Sequence, residues 1–189
     1  MRSVLISIRP KWVEKIVSGE KTLEVRKTRP KLETPFKCYI YCTEAKKRLV
    51  TILKDGDENY GEIYHGKPVF IKVEDGSVCD MWGKRQKIVG EFTCDRIYGL
   101  APLNHAPDDV EQQACLTREE IVRYLKGVGY GWHISKLEIY DTPKPLSAFK
   151  GLCKIEADCG GCPYYNYTKM ECDGRIIKRP PQSWCYVEG

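Results

Sequence analysis

The sequence predicts an α+β fold, a small β-barrel or curled sheet with flanking helices. It contains six segments with strand patterns and two with helix patterns, and these do not alternate as regular βαβ units would. The strand patterns lie at residues 4–8, 23–27, 37–43, 69–73, 88–98 and 132–140. The length of 189 residues suits one domain with an appendage.

Both predicted helices have an amphipathic period and recognisable ends. Residues 11–18 place their apolar side chains on one face, and Gly19 stands where a helix of that length ends. The second helix begins at Thr117, where Glu120 completes a capping box, and ends at Gly127.

Turn signals and composition divide the rest of the chain. Four glycine turn signals are crowded into the span from about residue 44 to 87, which predicts an insertion in which 69–73 pairs with 78–81. After residue 141 the composition changes, and residues 153–189 hold five cysteines, four glycines and three prolines. We therefore predict a barrel domain over 1–141 and a cysteine-rich C-terminal segment over 142–189.

The charge is unevenly distributed. The formal net charge is +5, yet residues 1–50 hold 13 Lys and Arg against 5 Glu, which gives +8 there and −3 in the remainder. A basic N-terminal part indicates a polyanion or an anionic substrate, or else a solvated surface. No apolar run approaches the roughly 20 residues of a membrane span, and no signal-peptide core is present, so we expect a cytoplasmic protein with reduced or metal-bound thiols.

Three charged residues form the main candidate site. Lys21 follows the glycine turn at Gly19, and Glu24 and Arg26 stand two apart on the next strand, so they share one face. Charges gathered at the mouth of a barrel are candidates for a binding or catalytic site. The alternative is a ladder of salt bridges on the surface.

The same stretch resembles the signature of a known family. The run Ser18-Gly19-Glu20-Lys21-Thr22-Leu23-Glu24-Val25-Arg26 is similar to the signature of ASCH domains, in which Lys, Glu and Arg follow a helix-ending glycine. The segments 89–92 and 132–134 resemble later ASCH strands, and 179–184 is similar to phage and prophage relatives. The resemblance implies a PUA-like β-barrel from residue 4 to about 141.

One function implied by the resemblance is the binding of RNA or of a modified nucleoside. Lys21 and Arg26, with Arg9 nearby, would meet phosphates, while an aromatic side chain stacks on an unpaired base. The aromatic candidates are Trp12, Tyr39 and Tyr41, each of which core packing would also explain. A third class of function is a phage-encoded protein whose basic face docks onto a host protein.

The other implied function is catalysis. Some ASCH relatives remove the acetyl group from acetylcytidine, and others are linked to ribonuclease activity. The resemblance assigns the base to Lys21 and the downstream acid to Glu91. Glu24 stands where those amidohydrolases have a nucleophilic threonine, so Glu24 would have to activate a water, and Thr22 is expected to face away.

The tail contains a second constellation, of cysteines. Cys153, Cys159, Cys162 and Cys172 form the pattern C-x5-C-x2-C-x9-C, which predicts one structural zinc ion. A redox disulfide between Cys159 and Cys162, plain buried thiols, or an iron–sulfur cluster are the alternatives. Cys185 is a fifth candidate ligand or a buried strand residue. The remaining cysteines are predicted to pack in the core; they are Cys38, Cys42, Cys79, Cys94 and Cys115.

Overall fold

The protein is built around one mixed six-stranded sheet. The computed structural model describes residues 2–43, 48–53, 69–73, 87–100, 105–153 and 159–188. The sheet contains β1 (Arg2–Ile8), β2 (Leu23–Arg26), β3 (Phe36–Cys42), β6 (Lys87–Gly99), β7 (Tyr130–Lys144) and β10 (Trp184–Glu188). Their order is β10-β1-β3-β6-β7-β2, and only β1 and β3 run parallel.

Four shorter strands form two ribbons outside this sheet. In the predicted insertion, β4 (Arg48–Leu53) pairs with β5 (Val69–Val73), and in the tail β8 (Tyr165–Asn166) pairs with β9 (Glu171–Cys172). The strand predicted at 69–73 is therefore present, with β4 as its described partner. Residues 78–81, its predicted partner, and most of the insertion lie outside the described residues.

Three helices lie in the described part of the chain. They are α1 (Pro10–Val17), α2 (Val110–Ala114) and α3 (Arg118–Leu125). Helix α1 ends in a turn where Gly19 has a φ of +77°, and α3 carries the predicted capping box between Thr117 and Glu120. Helix α2 was not predicted. No described helix has the length and apolar composition that crossing a membrane requires.

Apolar side chains cover both faces of the sheet. One face holds the largest cluster, in which the fully buried Trp132 packs edge-on against Phe36 and Trp184. The other holds a smaller cluster that includes Tyr39 and Phe149. A third cluster packs β2 against α2 and α3. The mixed sheet and its few helices confirm the predicted α+β class.

The C-terminal end of the chain belongs to the sheet. Strand β10 pairs antiparallel with β1, and Val187 is fully buried in the smaller cluster. Strand β7 also runs three residues past the boundary predicted at 141. The tail differs from the rest of the chain in composition, but its last strand pairs with β1 and so belongs to the main sheet. The division into 1–141 and 142–189 stays a prediction.

Candidate functional site

Lys21, Glu24 and Arg26 form a buried ionic triad. Their exposed fractions are only 2%, 6% and 7%, so they are not a surface ladder of salt bridges. Glu24 lies between the two cations: Oε1 is 3.0 Å from the Arg26 guanidinium and Oε2 is 3.4 Å from Lys21 Nζ. Because buried charges are stable only when paired and hydrogen-bonded, each member depends on the others.

Lys21 is surrounded by acceptors. Its Nζ donates hydrogen bonds of 2.8 Å to the carbonyl oxygens of Leu23 and Ala114, besides its contact with Glu24. Three acceptors match the three N–H donors of an ammonium group. The Gly19 turn directs the chain from α1 toward β2, and the last residue of α2 supplies the second carbonyl.

Arg26 joins the triad to the C-terminal segment. One guanidinium nitrogen donates to the Ser7 carbonyl oxygen at 2.6 Å, and the other to Ser183 Oγ at 3.3 Å. Ser7 itself holds the same segment, because its Oγ donates to the Pro181 carbonyl at 2.6 Å and its N–H to the Ser183 carbonyl at 2.9 Å. The triad is therefore bonded to β1, to β2 and to the segment that leads into β10.

The triad lies in the wall of a cavity of about 650 Å³, within the size range of small-molecule sites. The described residues that line it are Ser7, Ile8, Arg9, Lys11, Trp12, Lys21, Glu24, Val25, Arg26, Tyr41, Thr43, Leu116, Glu120, Tyr124, Pro180, Pro181 and Gln182. Four of them are cationic and two are acidic, which leaves a formal charge of +2. The cavity therefore suits a ligand that carries negative charge.

Aromatic side chains also line the cavity. Trp12 is half-buried, with Lys11 Nζ 4.2 Å and Lys21 Nζ 5.1 Å from its ring centroid. Tyr124 and Tyr41 both line the cavity, but Tyr124 is 44% exposed and Tyr41 only 1%. Tyr39 does not line the cavity and packs against Phe149 instead. Trp12 and Tyr124 are thus the more exposed aromatic rings of the cavity.

Glu91 is not brought together with Lys21. It accepts hydrogen bonds from Lys37 and Tyr140 and does not line the cavity. Burial opposes the ionisation of Glu91, but the bonds from Lys37 and Tyr140 outweigh it and lower its pKa. Burial and the neighbouring Glu91 raise the pKa of Tyr140. Glu91 is therefore an ionised link between strands β3, β6 and β7.

Three of the four predicted zinc ligands lie in one local structure of the tail. Cys159–Gly161 form a 3-10 turn, the N–H of Tyr165 donates to the Cys162 carbonyl at 3.1 Å, and Tyr165 pairs with Cys172. Cys153, which precedes this structure in the chain, is exposed. None of the four forms a disulfide with another described cysteine, and no three metal-ligating side chains group closely anywhere in the described ranges.

Three of the other described cysteines, Cys38, Cys42 and Cys94, are core residues as predicted, whereas Cys115 is not in a core cluster. Burial raises the pKa of the Cys42 and Cys94 thiols to about 12, and that of Cys38 well above its usual value. Such thiols stay protonated and make poor metal ligands. Cys115 is half-buried, and Cys79 lies outside the described residues.

Sequence reasoning missed three parts of the site. Helix α2 has only five residues, too few for a periodic signal, yet its Ala114 carbonyl holds Lys21. Tyr124 lies within α3, and nothing in the sequence of that helix indicates that this residue lines a site. The sequence shows Pro180 and Pro181 only as part of a segment similar to relatives, yet both line the cavity.

Comparisons with known proteins identify the fold. No protein-family model and no curated protein matches the chain. Two crystal structures of point mutants of ZmASCH, from Zymomonas mobilis, are similar to it with TM-scores of 0.54 and 0.50. Both are 15% identical in sequence; the matches cover 98% of this chain and 88% and 90% of those chains. At this identity the likeness shows a shared fold.

Proposed function

We propose that this chain, which has the fold of an ASCH domain, binds single-stranded RNA or a modified nucleoside within RNA in the cavity at its buried triad. The observation that carries the proposal is the combination of a buried Lys21–Glu24–Arg26 network with a cavity of about 650 Å³ and an excess of positive charge. The cations Arg9 and Lys11 stand exposed at the cavity, available to phosphates.

The two more exposed rings support a base rather than a simple anion as ligand. RNA recognition by stacking requires an unpaired base and an aromatic face. Trp12 and Tyr124 line the cavity together with the cations, and the pairing of aromatic and basic side chains is typical of sites for single strands. The triad itself serves to hold the wall in place, because Lys21 Nζ and the two terminal nitrogens of Arg26 already have acceptors. Among the described residues, the buried Arg26 Nε has no hydrogen-bond partner.

The geometry favours binding over hydrolysis. A lysine that acts as a base must be neutral, but Lys21 points its Nζ at three acceptors, an arrangement suited to the ammonium form. Glu91, the proposed acid, is engaged with Lys37 and Tyr140 elsewhere. Thr22 does not line the cavity. Its backbone N–H donates to the Gln113 carbonyl, and its carbonyl accepts from the Ile134 N–H.

For the tail we propose one structural zinc ion bound by Cys153, Cys159, Cys162 and Cys172. Support comes from the Cys-x-x-Cys turn and from the β8–β9 ribbon, which carries Cys172 next to Tyr165.

A screen of modified nucleosides and short RNAs, scored for both retention and turnover, tests the proposed function. We expect retention of at least one single-stranded RNA, with an affinity that falls as salt is added, and no turnover. Hydrolysis of acetylcytidine or of RNA that disappears in Lys21→Arg would instead establish catalysis, because a guanidinium cannot act as a base. Failure of every probe to bind would favour a protein partner.

A further inference from the structure

A second groove lies beside the cavity, on the loop that follows β2. It has a volume of about 600 Å³ and is lined mainly by Lys27, Arg29, Lys31, Leu32, Val128 and Tyr130. The three cations are exposed, and Glu33 is the one acidic residue among the described residues that line the groove. The groove therefore has a formal charge of +2, like the cavity.

The loop that forms the groove is anchored. The N–H of Lys31 donates to the Tyr186 hydroxyl at 2.7 Å, and Trp184 Nε1 donates to Thr28 Oγ1 at 3.0 Å. Pro30, between them, is buried. The backbone of residues 28–31 is thus fixed to β10, while the cationic side chains stay in solvent. A charged surface with a fixed backbone loses less conformational entropy when a ligand binds.

Tyr124 connects the groove to the cavity. It lines the cavity, and Lys27, which lines the groove, places its Nζ 5.5 Å from the centroid of the Tyr124 ring. Further along, the Arg29 guanidinium lies 5.6 Å from the Tyr130 ring. Cations and rings therefore alternate from the cavity into the groove, as in proteins that follow the backbone of a single strand.

We propose that the ligand is a strand of RNA that continues from the cavity along residues 27–31, and not a free nucleoside or mononucleotide. This inference rests on the proposed function and specifies its substrate class. One base enters the cavity, and Arg29 and Lys31 neutralise phosphates of the nucleotides that flank it. A free nucleotide fills only the cavity and leaves the groove without a partner.

The experiment compares two probes, cytidine 5′-monophosphate and a labelled single-stranded RNA of about six nucleotides, a length within the site sizes of such folds. The test variant carries Arg29→Ala and Lys31→Ala. The control variant carries Lys169→Ala and Lys178→Ala, which remove the same charge from exposed positions in the tail. Affinities are measured from about 0.1 M to about 1 M salt.

We expect the test variant to bind the RNA about 25-fold more weakly than wild type at about 0.1 M salt, since each lost phosphate contact lowers the salt slope by about 0.7. Mononucleotide affinity should not change, and the control variant should match wild type with both probes. Equal RNA affinity in the test and control variants would overturn the inference and leave the proposed function standing. If wild type binds neither probe, both are overturned.

Discussion

At the scale of residues, the site depends on how one carboxylate compensates two buried cations. Glu24 contacts Lys21 and Arg26 with different oxygens, and none of the three is more than 7% exposed. The spacing in the sequence correctly predicts a shared face for Glu24 and Arg26. It does not predict burial, because burial depends on α2, α3 and the C-terminal segment, which cover β2 from distant parts of the chain.

Glu24→Gln is expected to lower the free energy of unfolding by about 3–5 kcal/mol, because it leaves two buried cations without a counter-charge. Denaturant unfolding at neutral pH measures the change. The matched control is Glu20→Gln, which removes an exposed partner of Lys15 and should have a much smaller effect. Equal effects of the two substitutions would show that the triad is not a buried ionic network.

Glu91 gives a prediction for pH dependence. Its pKa is lowered in the folded protein, so its stabilising contribution is present above its usual value of 4.5 and is lost as the pH falls through the folded pKa. We expect Glu91→Gln to be about 1 kcal/mol less stable than wild type at pH 7, and the difference to shrink in acid. Denaturant unfolding at several pH values measures both.

The control for this experiment is Glu138→Gln, which removes an exposed carboxylate directly opposite Glu91 on β7. Binding of RNA should be the same in Glu91→Gln as in wild type, since Glu91 does not line the cavity. A loss of RNA affinity without a loss of stability would assign Glu91 to the functional site.

At the scale of elements, the pattern within one segment predicts whether it forms a helix or a strand. The sequence does not predict which distant segments pair with each other. The helices α1 and α3 and the strands β1, β2, β3, β6 and β7 of the sheet follow from periodicity, capping and turns. Gly90 illustrates the limit: a Cβ there would lie 2.4 Å from the Glu138 carbonyl oxygen, a close approach of β7 that only the folded sheet reveals. The pairing of β10 with β1 joins opposite ends of the chain and leaves no local signal.

The zinc site proposed for the tail can be tested through its metal content and its protease sensitivity. Elemental analysis should find one zinc per chain, and Cys162→Ser should lose it while Cys115→Ser, outside the tail, keeps it. Removing the metal with a chelator should make residues 153–172 of the tail sensitive to protease and spare the sheet, since zinc provides on the order of 10 kcal/mol for ordering such segments.

Metal-free protein with an equally protected tail would rule out the zinc site. Loss of zinc in Cys185→Ser but not in Cys153→Ser would reassign the fourth ligand. Cys185 packs with the smaller core cluster, and burial raises the pKa of its thiol, so we expect Cys185→Ser to keep the metal.

At the scale of the whole molecule, the curled sheet brings its two ends to one site. Strand β2 carries Glu24 and Arg26 at one edge, and β10 follows the proline wall at the other. Arg26 and Trp184 link the two edges through Ser183 and Thr28. The cavity and the neighbouring groove therefore form a continuous basic and aromatic surface. Seven of the 13 Lys and Arg residues in the first 50 positions are described residues that line the cavity or the groove.

The most direct test of the account is the affinity of single-stranded RNA for a variant that carries Arg9→Ala and Lys11→Ala. Both side chains are exposed, so the triad and the fold should stay intact, as thermal unfolding can verify. We predict an affinity about tenfold or more below that of the Lys169→Ala, Lys178→Ala control at about 0.1 M salt. Equal affinities for the two folded variants would contradict the assignment of the cavity as the RNA site.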